Sequence, residues 1–344
     1  MRNLPFVSII VLNYNGKQYL KECFGSVRKI NYPKNRYEVI MGDNASSDGS
    51  VEYVKKNFPW VRVLQFDKNY GFAEGNNKCV EKARGEHVCF LNNDTKVDKK
   101  WLIELVKGFD FDDKVAICGS KLLFYDRPNV INSAGIILTF IGAGMNIGMG
   151  EKDNSDYNIQ KCVGGICGAS LMIKKQLFDE LGGFDPDYFA YCEDTDLCWR
   201  AWLYGHKVLY VPNSTVLHKF GGSFGKNRAT PLKSYHIQKN RIINILKNFD
   251  DLYIIKGLII SLAYDVYRNF FYLKERNFKV IKSILKADCY VLLALPQIFS
   301  KRRIIQKNRV LSDNVLGRRV FSSLKSSIKE ELKMSKKFKN FFEY

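Results

Sequence analysis

The first 120 residues alternate between short apolar runs and longer segments with apolar side chains at helical spacing. Val7–Leu12 is typical of a buried strand because it is short, rich in β-branched residues and uninterrupted by polar ones. Lys17–Ile30 follows with a helical pattern, and the two periods repeat down to a strand over Val115–Gly119. Strands that alternate with helices at this spacing predict an α/β fold, with a mostly parallel sheet and helices on both faces.

Polar turns follow the first, second and fourth predicted strands. They are NYNG at 13–16, DNASSDGS at 43–50 and NNDT at 92–95. Asn, Asp, Gly and Ser are common turn formers, which is a sufficient explanation for any one of these turns. The carboxyl ends of parallel strands, however, meet at one edge of a sheet, where ligands bind in this fold class. We therefore expect the three turns to line one cleft.

Acidic side chains gather at the start of a predicted helix over 191–205. Glu193, Asp194 and Asp196 lie there, while Asp94 ends the fourth predicted strand and His218 follows the last one. Carboxylates at a helix start complement the helix dipole, and a lone histidine is often structural. The same residues also suit a divalent-metal site with a general base beside it. The residues alone leave both interpretations open.

Eight motifs occur in order along the chain. They are VSIIVLNYNG, GDNASSDGS, NYGFAEGNN, FLNNDT, GGICGA, GGFD, EDTDLCWR and VLHKFGGS. In this order the chain resembles family 2 glycosyltransferases, and most of all the rhamnosyltransferase-like branch that builds cell-surface polysaccharides, over about residues 5–245. The resemblance implies a GT-A fold, which is a Rossmann-like sheet with helices on both faces, over residues 1–230. It places nucleotide binding in 1–120 and acceptor binding and catalysis in 121–230.

The resemblance also implies roles for individual residues. Asp194 stands at the position of the catalytic base, and Glu193 precedes it in the Glu-Asp pair of the same catalytic site. The segment 92–94 replaces the Asp-x-Asp metal motif of the family, and two of its three positions are amides, so metal binding should be weak before the donor arrives. The implied metal, Mg²⁺ or Mn²⁺, is held by Asp94 and His218. The residues implied to bind the donor are Asn13, Asp43, Asn69, Gly71, Asn92, Asn93 and Asp94.

The chemistry of glycosyl transfer explains why such residues are needed. A sugar hydroxyl loses its proton only far above neutral pH, so a carboxylate, here Asp194, must accept that proton as the hydroxyl attacks. The departing nucleoside diphosphate gains negative charge, which a divalent cation stabilises. One displacement from the opposite face inverts the anomeric carbon. The implied donor is dTDP-rhamnose or a UDP-sugar, and the implied acceptor is a hydroxyl of a glycan or of a polyprenyl-diphosphate-linked glycan.

The last third of the chain carries most of its basic excess. Residues 231–344 contain 24 Lys and Arg against 9 Asp and Glu, whereas residues 1–230 contain 30 against 26. The segment 278–286 places four apolar side chains opposite three lysines, which is the pattern of a helix in a membrane interface. The apolar side chains are Phe278, Ile281, Ile284 and Leu285. The sequence predicts basic amphipathic helices that associate with a membrane surface; the alternative is a helical bundle packed on the catalytic domain.

The cysteines and the N-terminal run bear on the location of the protein. Nine cysteines, an odd number, lie mostly inside apolar runs, and none forms a Cys-x-x-Cys pair. This pattern predicts free thiols in a reducing compartment. The apolar run near Met1 is short and lacks the small-residue cleavage site of a secretory signal. We therefore expect a cytoplasmic protein that associates peripherally with the inner face of the cell membrane.

Two other functions stay open. A sugar nucleotidyltransferase has a similar sheet but needs a glycine-rich triphosphate loop near the first strand, and NYNGKQYL is not one. A non-catalytic protein with a relic GT-A domain could use its basic tail to bind nucleic acid or membrane. The sequence carries no recognisable nucleic-acid-binding motif, so no nucleic-acid partner is expected.

Overall fold

A ten-stranded mixed sheet forms the centre of the protein, for which a computed structural model describes residues 4–220 and 230–321. The strands in chain order are β1 (Val7–Asn13), β2 (Tyr37–Asp43), β3 (Arg62–Gln65), β4 (His87–Leu91), β5 (Thr95–Val97), β6 (Val115–Phe124), β7 (Arg127–Ser133), β8 (Ile136–Leu138), β9 (Gly144–Asn146), β10 (Lys161–Cys162), β11 (Ser170–Lys174) and β12 (Lys207–His218). Strands β8 and β9 pair with each other outside this sheet.

The direction of the strands agrees with the prediction of a mostly parallel sheet. The hydrogen-bonded order is β10-β12-β6-β11-β4-β1-β2-β3, with β5 beside β12 and β7 beside β6. β1 is parallel to β2 and β4, β2 is parallel to β3, and β12 is parallel to β6. β11 is antiparallel to both of its neighbours. Of the eight strands along this path in the described residues, six therefore run in one direction.

Helices cover both faces of the sheet. Those in the first two-thirds of the chain are α1 (Lys17–Val27), α2 (Ser50–Asn57), α3 (Gly71–Val80), α4 (Trp101–Gly108), α5 (Lys175–Glu180) and α6 (Glu193–Leu203). α1, α2 and α4 contribute side chains to one hydrophobic core, and α3, α5 and α6 contribute to the other. Val7 and Ile9 of β1 lie in the first core and Ile10 lies in the second, because successive side chains of a strand point to opposite faces. The predicted α/β layering is confirmed.

The antiparallel strand β11 decides where the site forms. It lies between β4 and β6, and its first residue, Ser170, pairs with Leu91, the last residue of β4. Because β11 runs opposite to β4, the turn before β11 lies beside the loop after β4. The segments 167–169 and 92–94 therefore meet at the carboxyl edge of the parallel strands.

The described C-terminal part is helical, as predicted. Its helices are α7 (Pro231–Asn248), α8 (Asp251–Lys274), α9 (Phe278–Leu293), α10 (Leu295–Lys307) and α11 (Asp313–Arg319). Ile243, Val291 and Ile305 belong to the same hydrophobic core as one face of the sheet. α7 is mostly buried, whereas α8 exposes most of its surface. None of the described helices has both the length and the apolar content that crossing a bilayer requires.

The predicted interface segment 278–286 faces the protein with part of its apolar side. Ile284 is 1% exposed and Val280 is fully buried, because α9 packs against α7. Phe278 and Leu285 are exposed. The expectation that Ile284 belongs to a membrane-facing side is therefore wrong, because this side chain packs within the helical bundle.

Element boundaries agree with the sequence predictions to within a few residues. α1 ends at Val27 rather than at Ile30, and β6 continues past Gly119 to Phe124. All nine cysteines lie among the described residues and carry free thiols, as expected. The end of the motif VLHKFGGS and the last basic stretch of the tail lie outside the described residues.

Candidate active site

A chain of side-chain hydrogen bonds joins the loop after β4 to the ends of β1 and β2. Nδ2 of Asn93 donates to Oδ1 of Asn13 over 2.7 Å, and Nδ2 of Asn13 donates to Oδ1 of Asp43 over 3.1 Å. Oδ2 of Asp43 accepts the backbone N–H of Ser46 over 2.9 Å. These three predicted donor-site side chains are almost fully buried, and buried polar groups need such partners. The structure thus brings them together, bonded to one another.

The turns after β1 and β2 are also bonded to each other. Asp48 accepts the backbone N–H of Lys17, the first residue of α1, over 2.9 Å and that of Ser50, the first residue of α2, over 3.0 Å. Oδ1 of Asn15 accepts the N–H of Ser47 over 2.8 Å. The Asp48 carboxylate therefore accepts one N–H group at the start of each of two helices, where negative charge is favourable. This is a structural role for Asp48.

Asn69 and Gly71 lie at the start of α3. Oδ1 of Asn69 accepts the N–H of Gly71 over 2.8 Å, and the carbonyl of Gly71 accepts Nδ2 of Asn44 over 2.9 Å. Gly71 has a φ of +73°, and a Cβ there would lie 2.5 Å from the carbonyl oxygen of Phe189, so the position requires glycine. The next two N–H groups of α3 donate to that same carbonyl over 2.5 and 3.2 Å. The predicted donor-site residues at 69–71 are therefore tied to the segment that precedes α6.

Asp94 and His218 lie side by side. Oδ1 of Asp94 is 3.3 Å from Nε2 of His218, and Nδ1 of His218 is 2.9 Å from Oδ1 of Asn132. The pairing of β12 with β5 sets His218 opposite Thr95, next to Asp94 in the chain. Both members of the pair are buried. The structure thus juxtaposes the two residues implied to hold a metal.

The Asp94–His218 pair suits a hard divalent cation. The Nε2 atom of His218 and the carboxylate of Asp94 are nitrogen and oxygen ligands that Mg²⁺ and Mn²⁺ accept. Across the described residues, no group of three or more His, Cys, Asp or Glu side chains could hold a metal. Within residues 4–220 and 230–321, Asp94 and His218 are thus a pair of candidate ligands rather than a complete metal site.

The turn before β11 links the loop after β4 to α6. The N–H of Asn92 donates to the carbonyl of Ala169 over 3.1 Å. On the other side of the turn, the N–H of Gly168 donates to Oδ2 of Asp194 over 2.9 Å. Three consecutive residues, 167–169, thus contact the candidate donor site and the candidate base at once.

The thiol of Cys167 lies in the same turn. Burial, followed by the carboxylates of Asp194, Glu193 and Asp94 among its causes, raises the pKa of Cys167 to about 12. The turn that carries this thiol contacts Asn92 on one side and Asp194 on the other.

Asp194 is half-buried at the start of α6. Its Oδ2 accepts the N–H of Gly168, and its Oδ1 accepts the N–H of Thr195 over 2.6 Å. Burial raises the pKa of Asp194 above its ordinary value, although the hydrogen bonds from these two N–H groups act in the opposite direction. A carboxylate with a raised pKa holds a proton more strongly, which favours its use as a general base.

Glu193 is buried next to the candidate base. Its Oε2 has no hydrogen-bond partner within the described part of the chain. Burial, and then the charge of Asp194, raise the pKa of Glu193 well above its ordinary value. The pKa values of both neighbouring carboxyls are thus raised, and burial is the largest cause for each.

Behind α6, a buried cluster of charges fixes that helix to the C-terminal region. Nζ of Lys247 lies 2.7 Å from Oδ2 of Asp185 and 2.9 Å from Oδ1 of Asp196. Arg200 is 2.7 Å from Asp196, and Lys301 is 2.5 Å from Asp185. Burial alone would raise the pKa values of both aspartates, but the cations around them lower both. Lys247 of α7 thus bonds both α6, through Asp196, and the GGFD segment at 182–185, through Asp185.

Sequence reasoning missed the residues that hold the site groups in place. They are Asn44, Asn132, Gly168, Thr195 and Lys247. Asn44 and Gly168 lie inside the motifs DNASSDGS and GGICGA, so membership of these motifs could have identified them as site residues. Lys247 belongs to α7, whose buried residues are mostly polar, and a sequence pattern of this kind does not indicate burial or the partners of the lysine. The partner of His218 comes from β7, and no short-range pattern indicates that contact.

The chain belongs to glycosyl transferase family 2. The sequence profile described as "Glycosyl transferase family 2" matches residues 8–182, about half of the chain. The match includes the strands from β1 to β11 and the segment 92–94. Asp194 and His218 lie beyond it.

Characterised relatives support the same family. The chain is 32% identical to glycosyltransferase AglE of Haloferax volcanii over 62% of this chain and 67% of that protein. It is 24% identical to the N-acetylglucosaminyl-diphospho-decaprenol L-rhamnosyltransferase of Mycobacterium tuberculosis over 66% of this chain and 80% of that protein. It is 26% identical to rhamnosyltransferase WbbL of Escherichia coli over 62% of this chain and 83% of that protein.

Solved structures share the fold. GalNAc-T7 with UDP, GalNAc and Mn²⁺ superposes with a TM-score of 0.59 at 19% identity, over 74% of this chain and 49% of that one. This chain thus spans about half the length of that structure. The mannosyltransferase PcManGT from Pyrobaculum calidifontis, with GDP-Man and Mn²⁺, superposes with a TM-score of 0.55 at 17% identity. The superposition covers 89% of this chain and 86% of that one. The GT-A fold expected from the sequence is confirmed.

Proposed function

We propose that this glycosyltransferase is inverting, and that it moves a sugar from a nucleoside diphosphate to a hydroxyl of a glycan or lipid-linked glycan. The observation that carries the proposal is the 167–169 turn, which contacts Asn92 on one side and Asp194 on the other. A candidate base and a candidate cation pair thus lie together at the sheet edge where ligands bind in this fold class.

Asp194 accepts the proton in the proposed reaction. The acceptor hydroxyl gives its proton to the carboxylate as its oxygen forms a bond to the anomeric carbon of the donor. The bond from that carbon to the diphosphate oxygen breaks on the opposite face, so the configuration inverts. The raised pKa of Asp194 suits this step.

Asp94 and His218 would hold Mg²⁺ or Mn²⁺. The bound cation would stabilise the negative charge that develops on the departing diphosphate. The Mn²⁺ in the two structural relatives supports a divalent cation here. Because the described chain offers two ligands for it, we infer that the cation binds together with the donor rather than before it.

The donor is proposed to lie along the strand ends. Asn13, Asp43 and the segment 69–71 would border the nucleotide, and 92–94 would face the diphosphate. dTDP-rhamnose is the first candidate donor and a UDP-sugar is the second. The name of the mycobacterial relative, a rhamnosyltransferase acting on a diphospho-decaprenol compound, supports a rhamnosyl donor and a polyprenyl-diphosphate-linked acceptor.

The exposed face of α8 supports attachment to a membrane surface. Its exposed apolar side chains are Leu258, Ile259, Leu262, Val266, Tyr267, Phe270, Phe271 and Leu273. The two charged residues within this stretch, Asp265 and Arg268, pair with each other over 2.9 Å and are not exposed. An apolar surface of this extent marks an interaction site. Exposed Lys256, Lys274 and Arg276 at its borders would contact anionic headgroups.

We propose that residues 1–230 form the catalytic part and that 231–344 attach it to the inner face of the cell membrane, on the cytoplasmic side. Polyprenyl-linked acceptors are embedded in that membrane, so attachment would bring the site to them. No nucleic-acid partner is proposed.

A donor panel tests the proposed reaction. The purified full-length protein is mixed with Mg²⁺ and with dTDP-rhamnose, UDP-GlcNAc, GDP-mannose or ATP, and its melting temperature and the release of nucleoside diphosphate are measured. A nucleotide sugar of the dTDP or UDP class should raise the melting temperature and be hydrolysed slowly, whereas ATP should do neither. If no nucleotide sugar binds at saturating concentration, the proposed donor class is wrong.

A further inference from the structure

One buried side chain of α7 holds the segment that leads into α6, residues 188–192, which we name the 188–192 loop. Nδ2 of Asn240 lies 2.9 Å from the carbonyl of Tyr188, 2.9 Å from that of Ala190 and 2.6 Å from that of Tyr191. Asn240 is fully buried. The three carbonyls fix the orientation of its amide, because the amide oxygen in that place would face only acceptors.

The 188–192 loop adopts backbone conformations that residues with side chains avoid. Phe189, Tyr191 and Cys192 have φ angles of +60°, +70° and +65°. Such angles bring the Cβ atom too close to the backbone, so they persist only where the surroundings over-determine them. The three bonds from Asn240 supply that constraint from one side.

The 188–192 loop is also bonded to the start of α3. The carbonyl of Phe189 accepts the N–H of Phe72 over 2.5 Å and that of Ala73 over 3.2 Å. The ring of Phe189 stacks on His236 of α7, with ring centroids 5.1 Å apart and an interplanar angle of 17°. The loop is therefore held between α3, which begins at Gly71 on the donor side, and α7.

The 188–192 loop ends where the candidate base begins. The carbonyl of Cys192 accepts the N–H of Asp196 over 2.9 Å and so starts the hydrogen bonding of α6. Within this first turn, Asp194 is bonded to the N–H of Gly168. A shift of the loop backbone would therefore move Asp194 relative to Gly168 and to the donor side of the cleft.

We propose that Asn240 is a positioning residue for glycosyl transfer: its two amide N–H groups, shared among the three carbonyls, hold the 188–192 loop and thereby the carboxylate of Asp194. The catalytic consequence rests on the function proposed above, whereas the structural consequence does not. α7, although it lies in the basic C-terminal region, is on this proposal a support of the active site.

Asn240→Ala tests the proposal, with Gln306→Ala as its matched control. Nε2 of Gln306 also donates to three carbonyls, those of Lys247, Asn248 and Phe249, at 3.2 to 3.3 Å. These carbonyls lie at the other end of α7, away from the 188–192 loop. Both variants lose an amide that bonds three carbonyls, so a general loss of stability affects both.

Asn240→Ala should lower kcat about 10- to 100-fold, with a smaller change in the KM for the donor, because a small displacement of a reacting group costs that much in rate. The acid limb of its pH–kcat profile should move to lower pH, since a base that becomes more solvated loses the burial that raises its pKa. Gln306→Ala should leave kcat and the acid limb unchanged. A donor KM that rises while kcat stays constant would contradict the proposal.

Amide hydrogen exchange gives a second measurement that needs no activity. In Asn240→Ala, the N–H groups of Phe72, Ala73 and Gly168 should exchange about tenfold faster, the change expected when a hydrogen bond is lost, while they stay unchanged in Gln306→Ala. Unchanged exchange in Asn240→Ala, or equal changes in both variants, overturns the proposal. If Asn240→Ala does not fold, Asn240→Ser carries the same predictions. If the wild-type protein transfers no sugar, the proposed reaction fails, and exchange alone decides the role of Asn240.

Discussion

Nε2 of His218 lies 3.3 Å from Oδ1 of Asp94, and the backbone of the next residue, Lys219, donates to the carbonyl of Asp94 over 3.0 Å. The end of β12 therefore holds both the main chain and the side chain of Asp94. β12 also pairs with β5 next to this point, so backbone pairing brings the two side chains together.

This rigid pair predicts a metal requirement. EDTA should stop transfer, and excess Mn²⁺ or Mg²⁺ should restore it. His218→Ala should raise the Mn²⁺ concentration for half-maximal activity by roughly tenfold or more, because one of two protein ligands is lost. The measurement is initial rate against metal concentration, with His206→Ala, a half-buried histidine outside the site, as the control. Transfer that is indifferent to EDTA would remove the metal from the proposal.

Asp194→Asn should separate binding from turnover. An amide cannot accept the hydroxyl proton, so kcat should fall by about 10²- to 10⁴-fold while the Kd for the donor changes little. In the wild type, kcat should fall as the pH drops through the raised pKa of Asp194, since the base must be ionised. Calorimetry and initial rates check both statements, and the exposed Asp113→Asn should match the wild type. A parallel loss of donor affinity would argue against a base.

Glu193→Gln should change how stability depends on pH. The pKa of Glu193 is raised in the folded protein, so its contribution to stability is fully present below the unfolded value and is lost as the pH rises toward the folded one. Glu193→Gln removes that loss and should therefore melt at a higher temperature than the wild type at pH 8, with the difference shrinking toward pH 4. Melting temperatures across this range are the measurement. The exposed Glu81→Gln should show no such trend.

Lys247→Met should be strongly destabilising. It removes the cation between the buried Asp185 and Asp196, which then keep only Lys301 and Arg200 as cationic partners. Removal of one partner from a buried ion pair costs up to about 3–5 kcal/mol. The partly exposed pair of Lys175 and Asp179 provides a contrast, and Lys175→Met should cost under about 1 kcal/mol. Denaturant unfolding measures both. Equal costs would mean that the buried cluster is less desolvated than the structure indicates.

The apolar face of α8 should bind anionic vesicles. Replacing Leu262 and Phe270 together by Glu puts two charges on that face, so co-sedimentation with phosphatidylglycerol vesicles should be lost while donor hydrolysis in solution persists. Ile159→Glu, at an exposed apolar residue of the catalytic part, should sediment like the wild type. If the double variant still sediments with vesicles, another surface makes the contact.

Local patterns were enough to predict most of the first 120 residues. The short apolar run at β1 and the helical spacing at α1 are determined by neighbours in sequence, so they needed no knowledge of distant contacts. The polar turns after β1, β2 and β4 followed from the rule that parallel strands end at one edge, and the hydrogen bonds among Asn13, Asp43 and Asn93 agree with it.

Contacts between residues that are distant in the sequence could not be predicted from local patterns. The reversal of β11, which places Gly168 beside Asp194, depends on strand pairing across the sheet and leaves no mark on local periodicity. The apolar spacing in α9 was also ambiguous, because a helix facing α7 and a helix facing lipid carry the same pattern, and the structure buries Ile284. The roles of the site residues and the division at residue 230 stay predictions.

The buried polar residues of α7 have a consequence for building hybrid enzymes. On one side Asn240 and Lys247 bond the 188–192 loop and Asp185, and on the other Arg241 pairs with Asp265 of α8. A chimera joined at residue 230 would combine an α7 from one parent with partner groups from another, and mismatched buried donors and charges would result. Exchange of the C-terminal region between relatives should instead use a junction after residue 248, with Asp265 and its neighbours matched to the retained helix.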